Sequence, residues 1–85
     1  ELVELAEILR VLSDPTRLRL VQLLGRQEEG PGLCVKVLAQ RLGVSQPATS
    51  QHLRVLRNLG LVKGERRGYR VHYRLVRGRL LEYRE

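Results

Sequence analysis

The sequence predicts a mainly α protein that carries a β-hairpin, an α+β winged helix-turn-helix. Three observations lead there. Apolar residues recur at helical spacing from position 2 to 59, interrupted at Gly25, Gly43 and Gly60. The interruption at Gly43 is a turn of only about three or four residues that runs into Ser45, a favoured helix start. Beyond Gly60 the apolar period shortens to two around Gly68, and basic residues crowd the same stretch.

Residues 2–12 read as a helix. Leu2, Leu5, Ala6, Ile8, Leu9 and Leu12 fill one broad arc at about 100° per residue, leaving Val3 and Val11 outside it. That arc is wider than one small core covers, so part of it is expected to meet a second subunit. Asp14-Pro15 opens the next helix, with an N-cap carboxylate and a proline at the first helical position. Leu18, Leu20, Val21, Leu23 and Leu24 are its expected buried side, and Gly25 its expected C-cap. Residues 26–32, polar with two glycines and a proline, form a loop.

Residues 35–42 make a short helix, with Leu38, Ala39 and Leu42 inward and Gly43 ending it. Ser45 caps the following helix, which tolerates Pro47 in its first turn and runs to about Leu59. Residues 35–59 are thus the helix-turn-helix. Segments 61–66 and 70–75 flank a tight turn near Gly68, and Val71, Tyr73 and Leu75 alternate with Arg70, His72 and Arg74. This hairpin, residues 61–75, is the wing, with one apolar and one basic face. Leu80, Leu81 and Tyr83 indicate a short final helix. No internal repeat appears, and 85 residues leave room for one domain spanning 1–85.

Composition removes several classes of function. No apolar run approaches the roughly 18 residues of a membrane span, and no secretory pattern opens the chain, so cytoplasmic residence is expected. A single cysteine, Cys34, excludes an internal disulfide. There is no phosphate loop, no paired carboxylates and no nucleophile with a partner histidine at a telling spacing, so the chain reads as a binding protein, not an enzyme, and no cofactor is expected.

Charge placement says what it binds. Residues 1–44 hold six basic residues against six acids, whereas residues 45–79 hold nine basic residues against Glu65 alone, a local net charge of +8. A cationic field confined to one stretch suits a polyanion, because each neutralised phosphate releases condensed counterions. An acidic protein or an anionic membrane surface is the weaker alternative.

The helix after Ser45 must pack one face on the core and offer the other to a groove. With Gln46 at 0°, Gln46, Arg57, Ser50, Arg54, Pro47, Asn58 and Gln51 fall within an arc of about 140°. The opposite arc holds Ala48, Val55, Leu59, His52, Leu56 and Thr49, with Leu53 at its edge. No acid occurs anywhere on this helix, whereas an ordinary solvated face mixes signs. Glutamine pairs bidentately with adenine, serine contacts phosphate or a base edge, and arginine reads guanine or grips the backbone. His52, on the core side, reads as a satisfied structural residue. In the hairpin, Lys63, Arg66, Arg67, Arg70 and Arg74 suit a wing lying along the phosphate backbone or in the minor groove. They suit equally a basic edge strand that resists aggregation. Tyr69 either projects from the tip or packs on the strands.

At this point the residues resemble a known family. Ser13-Asp14-Pro15-Thr16-Arg17-Leu18-Arg19-Leu20 is similar to the second-helix motif of the ArsR/SmtB repressors. Leu38-Ala39, then Leu42-Gly43-Val44-Ser45-Gln46-Pro47-Ala48-Thr49-Ser50-Gln51-His52-Leu53-Arg54-Val55-Leu56, resembles their helix-turn-helix. Gly60-Leu61-Val62 and the hairpin ending Tyr73-Arg74-Leu75 resemble their wing. The resemblance implies a homodimer joined through the first and last helices, by Leu2, Leu5, Leu9, Leu80 and Leu81, that binds an inverted-repeat operator in double-stranded DNA. It implies that Gln46, Pro47, Ser50 and Gln51 face the bases. Phosphate contacts are assigned to Ser45, Arg54, Arg57, Arg66, Arg67 and Arg70.

The departures from the family pattern are informative. Metalloid-sensing members carry Cys-Val-Cys where this chain has Cys34-Val35-Lys36, so a cation replaces the second thiolate, and Ala39 stands where a third cysteine is sometimes found. Zinc-sensing members use Asp and His pairs on the last helix, where this chain offers only Glu82 and Glu85. No tight metal site is therefore expected. A lone thiol is more often a small buried hydrophobe, and a redox-responsive repressor switched at Cys34 is the alternative, as is a small-molecule effector. A winged-helix module binding RNA or protein in a larger assembly is the reading from another class.

Overall fold

The computed structural model describes residues 2–27 and 30–81, the last two by backbone alone. The elements run α1 (Leu2–Leu12), α2 (Pro15–Gly25), β1 (Leu33–Cys34), α3 (Val35–Leu42), α4 (Gln46–Asn58), β2 (Val62–Arg67), β3 (Arg70–Leu75) and α5 (Arg77–Leu81). The result is a winged helix-turn-helix: α3 and α4 form the helix pair, and β2 and β3 the wing.

The helices begin and end where side-chain chemistry dictates. Asp14 caps α2 by accepting from the Arg17 amide at 3.0 Å, and Ser45 caps α4 by accepting from the Ala48 amide at 3.1 Å. Gly43 closes α3 in the left-handed conformation, φ 72°, with its own amide on the Ala39 carbonyl at 2.9 Å.

Ile8 and Val11 of α1, Leu20 and Leu24 of α2, Leu38 and Leu42 of α3, Leu53 and Leu56 of α4, and Leu61 and Val62 at the wing root form one buried cluster. Each such side chain contributes roughly 1.5–3 kcal/mol relative to exposure. Tyr73 and Leu75 of β3 pack against this cluster, so the apolar face of the hairpin closes the core.

Four expectations are corrected here. Val11 is buried although the helical arc left it outside, while Leu2 is 82% and Leu9 60% exposed. The α1 arc is wide enough for two partners, and angle alone does not say which sector meets the core. Leu18 is 54% exposed because it lies about 200° around α2 from the core residue Leu20. Gly25 is the last residue of α2 and not its cap: Arg26 takes that position in a right-handed conformation, its amide on the carbonyls of Gln22, Leu23 and Leu24. Finally, the sheet has three antiparallel strands in the order β1-β3-β2, where a two-stranded hairpin was expected. The added strand β1 sets Leu33 against Tyr73 and Cys34 against His72. Two residues carry no readable period.

β1 comes so close to β3 that Gly32, at φ +83°, has no room for a side chain: a Cβ there would lie 2.5 Å from the Tyr73 carbonyl oxygen. No described helix is long and apolar enough to cross a membrane. Tyr83, Glu82 and Glu85 lie outside the described residues, as do the side chains of Leu80 and Leu81.

Candidate nucleic-acid interface

The sequence of α4 separates its two faces cleanly. Gln46, Pro47, Ser50, Gln51, Arg54, Arg57 and Asn58 are all exposed. Thr49, Leu53 and Leu56 are buried, and Ala48, His52, Val55 and Leu59 are half-buried. Thr49 is held on the inner face because its hydroxyl donates to the Ser45 carbonyl at 2.9 Å. Just before the turn, the guanidinium of Arg19 of α2 donates to the Leu42 carbonyl at the end of α3, at 3.2 Å. The polar stripe is thus presented on a fixed support. The exposed Ser45 uses its oxygen as the α4 cap, leaving only its hydroxyl hydrogen for a phosphate.

The wing extends the same chemistry. Lys63, Arg66, Arg67 and Arg70 are exposed on strands paired in continuous register from Val62 with Leu75 to Arg67 with Arg70. Gly68, φ 66°, makes the tight turn. Tyr69 projects from the tip, 86% exposed, and the Arg70 guanidinium lies 5.5 Å from its ring centroid.

Three of the nine cations in residues 45–79 are committed elsewhere. Arg74 pairs with Glu65 at 3.6 Å. Arg77 donates to the Gly25 carbonyl at 2.7 Å, and Arg79 donates to the Leu59 carbonyl at 3.1 Å and pairs with Glu4. The exposed cations among the described residues of this stretch that make no hydrogen bond to a distant element are therefore Arg54, Arg57, Lys63, Arg66, Arg67 and Arg70. A count of charges along the chain cannot tell a helix clamp from a groove contact.

His52 is half-buried on the inner face, as a structural residue would be, and its Nδ1 is buried without a hydrogen-bond partner among the described residues. His72 Nδ1 shares that condition. Cys34 is buried at the head of α3. Its thiol makes no cap hydrogen bond by geometry, yet the Val37 amide, then the Lys36 amide and Arg70, hold it below the ordinary cysteine value against the opposing effect of burial.

A model described as "Bacterial regulatory protein, arsR family" matches residues 14–63, from the Asp14 cap through the root of the wing. The chain belongs to the arsR family. It is 45% identical over 83 residues to a transcriptional repressor SmtB homolog of Synechocystis, a match covering 96% of this chain and 60% of that protein. It is 44% identical over 69 residues to the arsenical resistance operon repressor of Escherichia coli, covering 81% of this chain and 56% of that one. The chain therefore spans little more than half the length of these curated relatives. Among solved structures, an ArsR-like transcriptional regulator from Rhodococcus superposes with a TM-score of 0.81 at 35% identity, covering 94% of this chain and 72% of that one. A homodimeric winged helix-turn-helix DNA-binding domain from Mycobacterium bovis gives 0.78 at 28% identity, covering 95% and 76%.

Cys34, His72 and Glu65 lie in register across the three strands, but among the described residues no three His, Cys, Asp or Glu side chains form a group that could hold a metal ion. The Lys36 ammonium, two residues from the thiol, opposes a cation there.

Proposed function

We propose that this chain binds double-stranded DNA as a homodimer in the cytoplasm and represses transcription from an inverted-repeat operator. The observation that carries the reading is the exposed, acid-free stripe of α4, flanked by the outward cations of the wing. On this reading Gln46, Pro47, Ser50 and Gln51 contact bases, while Ser45, Arg54, Arg57, Arg66, Arg67 and Arg70 hold phosphates. A two-fold dimer sets two copies of α4 in successive major grooves about 34–36 Å apart, and the bound protein occludes the promoter. The repressor names of the Synechocystis and Escherichia coli relatives favour repression.

The homodimer reading rests on the apolar face of α1. Leu2 and Leu9 are exposed there, Leu5 is half-buried, and Arg79 ties α5 to α1 through Glu4, so the last described helix lies beside the first. Leu9→Glu is expected to convert the dimer to a monomer in sedimentation. RNA is disfavoured because the A-form major groove is too deep and narrow for α4 to read.

The deciding experiment is fluorescence anisotropy against the upstream intergenic DNA and a shuffled duplex across a salt series. Tight binding to the upstream DNA alone, with log affinity falling steeply as log salt rises, supports the proposal. Equal weak binding to both duplexes overturns it.

A further inference from the structure

The face that carries the stripe also contains a cleft that the DNA reading does not explain. It is an open cleft of about 340 Å³ between the head of α3, the first turn of α4 and the wing, with the exposed Tyr69 also lining it. That is within the range of small-molecule sites, about 300–1,000 Å³. Its walls are Cys34, Val35, Val71 and Tyr73, all buried or half-buried. Lys36 and Arg70 also line it, both exposed, and neither forms an ion pair among the described residues.

We infer that this cleft binds a small organic anion with an apolar body, and that its occupation excludes DNA. A bare inorganic anion would give up hydration against apolar walls and recover little. A neutral apolar molecule would bring the two cations no counter-charge. An aromatic or aliphatic carboxylate or sulfonate satisfies both, its body on Val35, Val71 and Tyr73 and its charge on Lys36 and Arg70. The Cys34 thiol, held low by the Val37 amide and in part by Arg70, lines the same cleft.

Exclusion of DNA follows from shared residues and rests on the DNA-binding reading above. Gln46, the first residue of the exposed stripe, and Arg70, an outward cation of the wing, both line the cleft. A ligand seated there takes Arg70 from a phosphate and stands beside Gln46. No thiolate cluster or metal is needed for such a ligand to release the protein from DNA.

The test uses 8-anilinonaphthalene-1-sulfonate, an apolar aromatic sulfonate whose fluorescence rises on leaving water. Titrated into the protein without DNA, it is expected to saturate one site per chain. Lys36→Glu, at an exposed position in the first turn of α3, should weaken the probe by about tenfold or more, the scale of one charge-assisted contact. Leu18→Glu, which removes the exposed apolar side chain of α2 away from the cleft and from the α1 face, should leave it unchanged. Equal affinity in Lys36→Glu, or loss in Leu18→Glu, overturns the site. Adding upstream duplex DNA should then release the probe. Retention of probe while DNA is bound overturns exclusion, whereas probe binding to a protein that binds no DNA keeps the site and sinks the repressor reading instead.

Discussion

The Arg79 guanidinium of α5 donates from Nε to the Leu59 carbonyl at 3.1 Å, joining the last described helix to the C-terminal end of α4. This is one of four such closures. Arg17 donates to the Val11 carbonyl at the end of α1, Arg77 to Gly25 at the end of α2, and Arg19 to Leu42 at the end of α3. Each meets the negative end of a helix dipole, and at Val11 the carbonyl also accepts from the Asp14 amide at 3.4 Å.

Arg79→Leu is expected to destabilise the fold by roughly 1.5–3 kcal/mol, because a hydrogen bond from a charged group is lost at a site where the side chain is only 16% exposed. Glu4→Gln should cost under about 1 kcal/mol, since its carboxylate is half exposed and the ion pair is solvent-screened. Urea denaturation of the two variants checks the ranking. Equal costs would mean that the ion pair, not the helix closure, dominates.

Gly32→Ala tests the approach of β1 to β3. The new methyl would meet the Tyr73 carbonyl in a backbone conformation that side chains rarely adopt, so both steric clash and strain act together. A loss above about 2 kcal/mol is expected. Gly43→Ala provides the contrast, because its Cβ would meet nothing within 4 Å and only the left-handed conformation is penalised. A thermal unfolding series in which Gly43→Ala proves the worse variant would contradict the β1–β3 packing.

Acid stability should report the Asp14 cap. The Arg17 amide, followed by the Arg17 and His52 charges, holds this carboxyl below the ordinary aspartate value. A depressed folded value gives stability that is present above the unfolded value, about pH 4, and lost as pH falls through the folded one. Asp14→Asn keeps a cap oxygen but does not titrate. The melting temperature of the variant should therefore fall less steeply than that of the parent below about pH 4. Parallel acid limbs would show that other carboxyls govern the transition.

Base and phosphate roles separate by their response to DNA sequence. Gln51→Ala is expected to cost roughly 1–3 kcal/mol on the operator and little on random DNA. Arg67→Ala should weaken both duplexes alike and reduce the salt slope by about 1. Anisotropy titrations on both duplexes measure this. An equal loss on both for Gln51→Ala would remove it from the base-reading set.

Much of this chain can be read from local chemistry. Helix bounds follow from caps that act within four residues, Asp14 on Arg17 and Ser45 on Ala48, and the two faces of α4 follow from a rotation of about 100° per residue applied over one rigid helix. The departure of Lys36 from a thiolate motif is likewise visible in three adjacent residues. What the tertiary structure decided depends on distant partners. It buries Val11 and exposes Leu18, adds β1 to β3, and ties Arg74, Arg77 and Arg79 to a carboxylate or to carbonyls on other elements. Arg77 reaches a carbonyl 52 residues away in the chain, and Arg79 one 20 residues away. Periodicity shows which residues share a face, but only the packing of one element on another settles what that face meets.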